Sequence, residues 1–312
     1  MNKALKRISY SLITIAFMLT LIYVYMDTET RVLNAESREH LDGQFAHLEM
    51  GTVHYQLEGD TKAETVVLVH GFSSPLYIFD PTFEYLKKEG FRVLRFDLFG
   101  RGYSDRPESD YGINVYVEQL HELLSNLDIE GKVNLVGLSM GGAIVTHFNN
   151  RYPEQVNKIS LIDPLFHTPE RPEITAIKLP GIGEYLAKVV IVPKFINGVA
   201  ETVLNPDTFP NWAEKFEPQT HYKGFSRAIV QTARFLAGKN FKSEYVKLGS
   251  SGKPVQLFWG KQDQVIPIAD ANKIKALIPN IEYHEIDEAG HLPHYEQAEK
   301  VNPLISNFFK SS

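Results

Sequence analysis

Residues 133–145 read VNLVGLSMGGAIV. Two patterns meet inside this stretch. The run from Val133 to Leu138 is apolar and β-branched, and short enough for a strand buried on both faces. From Met140 onward the residues suit a helix. Between them stands one hydroxyl, Ser139, flanked by Gly137, Gly141 and Gly142. The spacing is G-x-S-x-G. A serine there sits on a sharp strand-to-helix turn, where strand and helix approach too closely for side chains at 137 and 141. Taken alone, the pattern is weak. It fits an idle turn serine as well as a nucleophile held up into a cleft.

The surrounding sequence extends the same alternation. Residues 64–69 (ETVVLV), 91–96 (FRVLRF), 132–138 and 156–162 read as buried strands, as do 255–259 and 281–286 further on. Residues 79–88, 115–127, 140–150 and 301–309 carry helical spacing, and 47–58 reads as a hairpin arm. Strands alternating with helices predict an α/β fold, a mostly parallel, doubly wound sheet covered on both faces. The alternation breaks at 164–252, which is rich in proline and apolar residues, with helical fragments at 182–190 and 225–236. An insertion of this length predicts a lid rather than an unstructured loop. The expected organisation is an anchor at 1–26, a linker at 27–45, a core made of 46–163 and 253–312, and the lid between.

Composition narrows the partners. The chain has 312 residues, a net charge of −6 and no cysteine. An acidic balance leaves no basic excess for phosphates, so no nucleic acid is expected. Without cysteine there is no disulfide, thiol catalysis or zinc–thiolate site. Residues 249–253 (GSSGK) lack P-loop spacing, and Gly181-Ile-Gly183 lacks the rest of a dinucleotide fingerprint. H-E-x-x-H does not occur, and His291-x-x-His294 is a poor metal site. No cofactor and no metal are expected. Residues 8–26 run without a charge behind Lys3, Lys6 and Arg7. That length can span a bilayer. The nearest cleavage residue, Ala35, has Leu33 at its −3 position, a poor signal-peptidase site. We therefore expect an uncleaved membrane anchor with the N-terminus cytoplasmic and the body of the protein on the far side. A homodimer through the anchor stays open.

A nucleophilic serine needs a base, and the base needs an orienting acid. His291, in Gly290-His291-Leu292-Pro293, follows the last strand. Asp263, in Gly260-Lys261-Gln262-Asp263, follows the preceding one. Both lie at carboxyl ends of strands, where open α/β sheets place their sites. Asp163 is a rival acid at another strand end, and His294 a rival base. With the order Ser, Asp, His, residues 46–312 resemble the α/β-hydrolase family. His70-Gly71-Phe72 is similar to its oxyanion loop, Asp97-x-x-Gly100-x-Gly102-x-Ser104 to its next core turn, and Gly290-His291 with Glu296 to its histidine loop. The resemblance implies catalysis by Ser139, Asp263 and His291, with the backbone amides of Phe72 and Met140 as oxyanion hole. His70 would be structural, and Asp97 to Gly102 would build a turn.

A serine nucleophile points to acyl transfer rather than dehalogenation or epoxide opening, which use a carboxylate at the elbow. The apolar lid and the anchor favour a substrate with an aliphatic acyl chain. The whole then resembles bacterial membrane-anchored lipases and phospholipases A, carboxylic ester hydrolases of this fold. A short-chain carboxylesterase, a carbon–carbon bond hydrolase and a lid-gated ligand sensor are the alternatives.

Overall fold

Eight strands join in one sheet in the order β1-β2-β4-β3-β5-β6-β7-β8. They are β1 (Gln44–Leu48), β2 (Gly51–Glu58), β3 (Thr65–Val69), β4 (Arg92–Phe96), β5 (Val133–Leu138), β6 (Val156–Ile162), β7 (Val255–Gly260) and β8 (Glu282–Ile286). The computed structural model describes residues 3–169, 172–198 and 202–311. The hairpin β1–β2 is antiparallel and lies antiparallel to β4, and all later pairs are parallel. Every position of β3, β5 and β7 is buried. Their continuous apolar runs show no polar alternation because helices cover both faces. Side chains still alternate between faces. Val67 and Val69 join Leu94, Leu135 and Phe148 on one side, while Val66 and Leu68 join Val93, Val136 and Ile305 on the other.

Ahead of the sheet come α1 (Lys3–Tyr25) and α2 (Ala35–Arg38), and the covering helices include α3 (Asp80–Lys88), α4 (Ile113–Asn126) and α5 (Met140–Arg151), with Ala298–Lys310 closing the chain. Periodicity missed the short helices Ala269–Lys275 and Pro293–Glu296, which are too brief to repeat a pattern. Among the described residues between β6 and β7 the named elements are helices, of which Phe225–Leu236 is the longest.

Among the described residues, α1 is the one helix long and apolar enough to cross a membrane, and it is exposed along its length. Residues 27–45 are more than a spacer. Glu29 accepts from the amides of Gly224 (2.6 Å) and Ser226 (2.8 Å), a carboxylate at the positive end of the helix Phe225–Leu236. Lys188 pairs with Asp27 at 2.5 Å, and Tyr23 stacks on Tyr185. The apolar helix is thus fastened to the lid.

Candidate active site

Strand β5 delivers Ser139 into a turn with φ 55° and ψ −120°. A non-glycine residue in that region carries strain of about 1–3 kcal/mol, so its surroundings must enforce it. The Ser139 amide donates to the Ile162 carbonyl, and its own carbonyl accepts from Gly142 and Leu165, each at 2.9 Å. The three glycines are sterically obligatory. A Cβ on Gly137 would stand 2.6 Å from the Gly141 carbonyl oxygen. One on Gly141 would stand 2.6 Å from that of His70 and closer still to Val69. One on Gly142 would meet Pro164 at 2.5 Å.

His291 and Asp263 come from the loops after β8 and β7. His291 Nδ1 donates to Asp263 Oδ2 at 2.7 Å, and Asp263 Oδ1 accepts from the amides of Val265 (2.7 Å) and Ile266 (3.0 Å). With its proton on Nδ1, the ring keeps a lone pair at Nε2. Burial pushes the Asp263 carboxyl up, but the His291 charge and these hydrogen bonds outweigh it, so the group titrates below the usual carboxylate range. His291 and Ser139 line the same cavity. The structure records no direct hydrogen bond between Ser139 Oγ and the ring, a common state before substrate is seated. Glu296 secures the histidine loop. It accepts from the amides of Gly290 (2.9 Å) and Leu292 (3.2 Å), and from Leu204 in the lid (2.7 Å). The His291 amide donates to the Thr202 carbonyl at 2.9 Å.

The rival acid lies beside this pair and the rival base behind the cleft. Asp163 is fully buried with φ 40°, and its Oδ1 accepts from Gly260 at 2.9 Å. Burial and the Asp263 charge push its carboxyl well up, so it holds its proton. Asp163, Asp263 and His291 form the one set of acidic and imidazole donors among the described residues within reach of a shared cation, their atoms lying within 4.8 Å of one another. Asp263 and His291 are bonded to each other, while Asp163 Oδ2 has no hydrogen-bond partner among the described residues. His294, the rival base, is fully buried behind the cleft. It bonds the Ile78 carbonyl at 3.0 Å, and burial pulls its pKa down to about 3.

The loop after β3 carries the second wall. A Cβ on Gly71 would stand 3.6 Å from Ser139 Oγ, so the loop passes directly beside the nucleophile. The amides of Phe72 and Met140 have no protein partner among the hydrogen bonds of the described residues, leaving both free to donate. His70 braces this loop from behind. Its Nδ1 bonds the Gly71 carbonyl and its Nε2 accepts from the Leu98 amide, both at 2.9 Å. Burial pulls its pKa down to about 4, so it is neutral. Sequence reasoning placed Arg101 in a turn and missed its larger task. Fully buried, it donates from Nε to the Phe72 carbonyl at 2.6 Å, bonds Thr232 at 2.9 Å, and stands 5.3 Å from the Phe72 ring centroid.

Two cavities meet at Ser139, sharing Phe72 and Val265. The smaller, about 210 Å³, runs under Ser73, Lys194, Thr202 and Trp212. The larger, about 330 Å³, runs along Met140, Leu165, His167 and Leu236.

Comparison with known proteins bears on this arrangement. Residues 64–298 match the family described as alpha/beta hydrolase fold. An uncharacterized protein of Mycobacterium tuberculosis is 25% identical over 288 residues, spanning 85% of this chain and 82% of its own. The 2-hydroxy-6-oxononadienedioate/2-hydroxy-6-oxononatrienedioate hydrolase of Paraburkholderia xenovorans is 28% identical over 271 residues, spanning 82% and 90%. The solved 2-hydroxy-6-oxo-6-phenylhexa-2,4-dienoate hydrolase of a Rhodococcus strain superposes with a TM-score of 0.71 at 23% identity, over 86% of this chain and 98% of that one.

These findings correct the expected lipase or phospholipase A, its classification as a carboxylic ester hydrolase, and its lipid or ester substrate with an acyl chain. The similar hydrolases act on oxo-dienoates, products of ring fission, at a carbon–carbon bond. The physical reason is that an apolar lid describes a wall and not the bond broken, since serine attacks the carbonyl of an ester and of a ketone alike. The lid divides its apolar residues between cavity, core and surface, with Leu165, Ala233 and Leu236 on the wall of the larger cavity. Val192, Val203, Phe209 and Phe216 are buried in one of the two core clusters, while Leu179, Ile182 and Val190 face solvent. Of the described residues in 176–198, Lys194, Phe195 and Gly198 reach the smaller cavity.

Proposed function

Because this chain belongs to the α/β-hydrolase family, we propose that it is a serine hydrolase that adds water across a carbon–carbon bond beside a ketone, in a small oxygenated ring-fission product. The observation that carries this reading is the pair of small cavities meeting at Ser139. A ketone seated over the nucleophile places one carbon substituent in each cavity. Their volumes, about 210 and 330 Å³, suit fragments of a compact substrate. The similarity to the Paraburkholderia hydrolase supports the same class.

In this mechanism Ser139 Oγ adds to the ketone carbon and its proton passes to His291 Nε2. The carbonyl oxygen becomes an oxyanion that accepts from the Phe72 and Met140 amides, the latter at the start of α5. Asp263 holds the imidazolium that forms. Collapse breaks the carbon–carbon bond. The substrate reacts as its 2-oxo tautomer, the proton of its 2-hydroxyl having moved to the carbon beside the ketone, so the departing carbanion is delocalised through the double bond into that second oxo group as a dienolate and takes its proton from His291. Water then adds to the acyl-enzyme, loses a proton to His291, and releases a carboxylic acid and Ser139. The net change is one water per bond cleaved. The helices between β6 and β7 serve as the lid that encloses these steps.

The test is loss of the dienoate absorbance of a 2-hydroxy-6-oxo-dienoate, with both products identified by mass. Ser139→Ala serves as control, and p-nitrophenyl esters and a monoacylglycerol run in parallel. Cleavage to the expected acid and dienoate fragment, abolished in Ser139→Ala, supports the reading. Ester turnover without dienoate cleavage would overturn it. We further propose that α1 anchors the protein with Lys3, Lys6 and Arg7 cytoplasmic. Resistance to alkaline extraction and protease access to the body from the far side test that topology.

A further inference from the structure

We propose that His167, held by Asp270, recognises a hydroxyl carried by the substrate in the larger cavity, and so selects hydroxylated substrates over plain ones. His167 follows β6 and lines the larger cavity together with Ser139. Its backbone is fixed on both sides. It bridges Asn240, the Phe166 carbonyl accepts from Phe241, and the Thr168 amide donates to Lys239, the last two at 2.9 Å. Its ring is fixed as well. Nδ1 lies 3.0 Å from Asp270 Oδ2, and Asp270 is 1% exposed, its other oxygen bonded to Lys273 at 2.8 Å.

A carboxylate can only accept, so Nδ1 carries the proton and Nε2 keeps its lone pair. A lone pair at the cavity accepts from an O–H. The chemistry of the rest of the wall sharpens the choice. Apart from the hydroxyls of Ser139 and Thr168, which also line this cavity, the wall is apolar: Leu165, Ala233, Leu236, Ile266 and Pro267 offer no side-chain hydrogen bond. A substrate hydroxyl placed among them would lose its water without replacement, and His167 is where that loss is made good.

The other histidines behind the site make the contrast. His70 and His294 are sealed from solvent and bond backbone carbonyls, which is what a structural histidine does. The side chain of His167 remains 31% accessible, at a cavity wall, with only one nitrogen committed. The Asp270–His167 pair repeats the geometry of Asp263–His291, but it faces substrate rather than the nucleophile. It orients and selects.

The inference takes from the proposed function only that the reacting carbonyl sits at Ser139. Its test is a pair of oxo-dienoate ketones differing by one hydroxyl distant from the carbonyl, and a second pair of p-nitrophenyl esters differing in the same way. Wild type, His167→Phe and His167→Gln are compared on all four. A small fluorophosphonate that reaches Ser139 without entering the larger cavity reports that each variant is folded and reactive. We expect kcat/KM to favour the hydroxylated member about tenfold in wild type. His167→Phe should erase that ratio, and His167→Gln, which keeps an acceptor, should restore part of it. A ratio near one in wild type, or a ratio unchanged in His167→Phe, would overturn the inference. So would equal losses on both members. If the esters show the effect while neither ketone is cleaved, the carbon–carbon reading fails and the recognition by His167 stands. If the ketones are cleaved without preference, the carbon–carbon reading stands and the recognition by His167 fails.

Discussion

Replacing Arg101 with methionine tests whether the oxyanion loop is held from outside the triad. The arginine gives the Phe72 carbonyl a 2.6 Å charged hydrogen bond, gives Thr232 another, and lies over the Phe72 ring. A charged hydrogen bond contributes roughly 1.5–3 kcal/mol, and a desolvated cation–π contact about 2 kcal/mol. Against this stands the desolvation of a fully buried guanidinium for which no ion pair is recorded among the described residues. Methionine relieves that cost. The two effects nearly offset in global stability, and the melting temperature should move by only a few degrees. They do not offset in catalysis. Phe72 loses the partner that holds the peptide following it, so the loop is anchored on one side only, by His70 on the Gly71 carbonyl, and the Phe72 N–H of that preceding peptide points less steadily at the developing charge. Deleting an oxyanion donor outright costs about 10²–10³ in kcat, so loosening one should cost roughly 10- to 100-fold. KM should change less than about threefold, because the oxyanion exists only after attack. The assay is steady-state kinetics beside thermal denaturation, with Arg101→Lys as an intermediate. A kcat within twofold of wild type in a folded Arg101→Met protein would refute the positioning role, as would a rise in KM with kcat unchanged.

Three other outcomes follow from the same geometry. Asp263→Asn should lower kcat by about 10³–10⁴, because an amide cannot hold the Nδ1–H tautomer, while Asp163→Asn should stay within a few-fold, since that carboxyl is already neutral. A large loss in Asp163→Asn would show the group to be charged. Gly141→Ala should leave little folded, active protein, because its methyl would overlap the carbonyls of Val69 and His70; soluble, active Gly141→Ala would refute the steric account of the elbow. Stability should also fall with acidification. The folded-state pKa of His70 is held near 4, so between pH 6.5 and 4 the unfolded chain binds a proton that the native chain refuses, a loss of roughly 3 kcal/mol that is absent above pH 6.5. Urea midpoints for wild type and His70→Gln across that range would show a steeper slope in wild type, and parallel slopes would count against it.

The elbow was readable from residues 133–145 because its steric demand is local. Strand, turn and helix meet within a few residues, and the three glycines announce the contact. The strands were readable for a similar reason, since burial on both faces leaves continuous apolar runs. Short helices such as Ala269–Lys275 escaped because two turns give too little period to detect. Arg101 and Glu296 were visible as members of motifs, but what they hold was not. Their partners, Thr232 and Leu204, lie far along the chain.

By itself the sequence determined an α/β core, a serine at a strained turn and two acid–histidine pairings to choose between. Tertiary structure decided the rest. Asp163 and Asp263 end neighbouring strands, and only a 2.7 Å approach to His291 separates the orienting acid from the one that keeps its proton. Only folding brings His167 to Asp270 across 103 residues, and only folding sorts the apolar lid residues into those that pack on the core, such as Phe209 and Phe216, and those that line a cavity, such as Leu165 and Leu236. Hydrophobic pattern reports that a side chain leaves water. Which cavity wall or core layer receives it is a matter of three-dimensional proximity, and that is what sets the shape of the substrate.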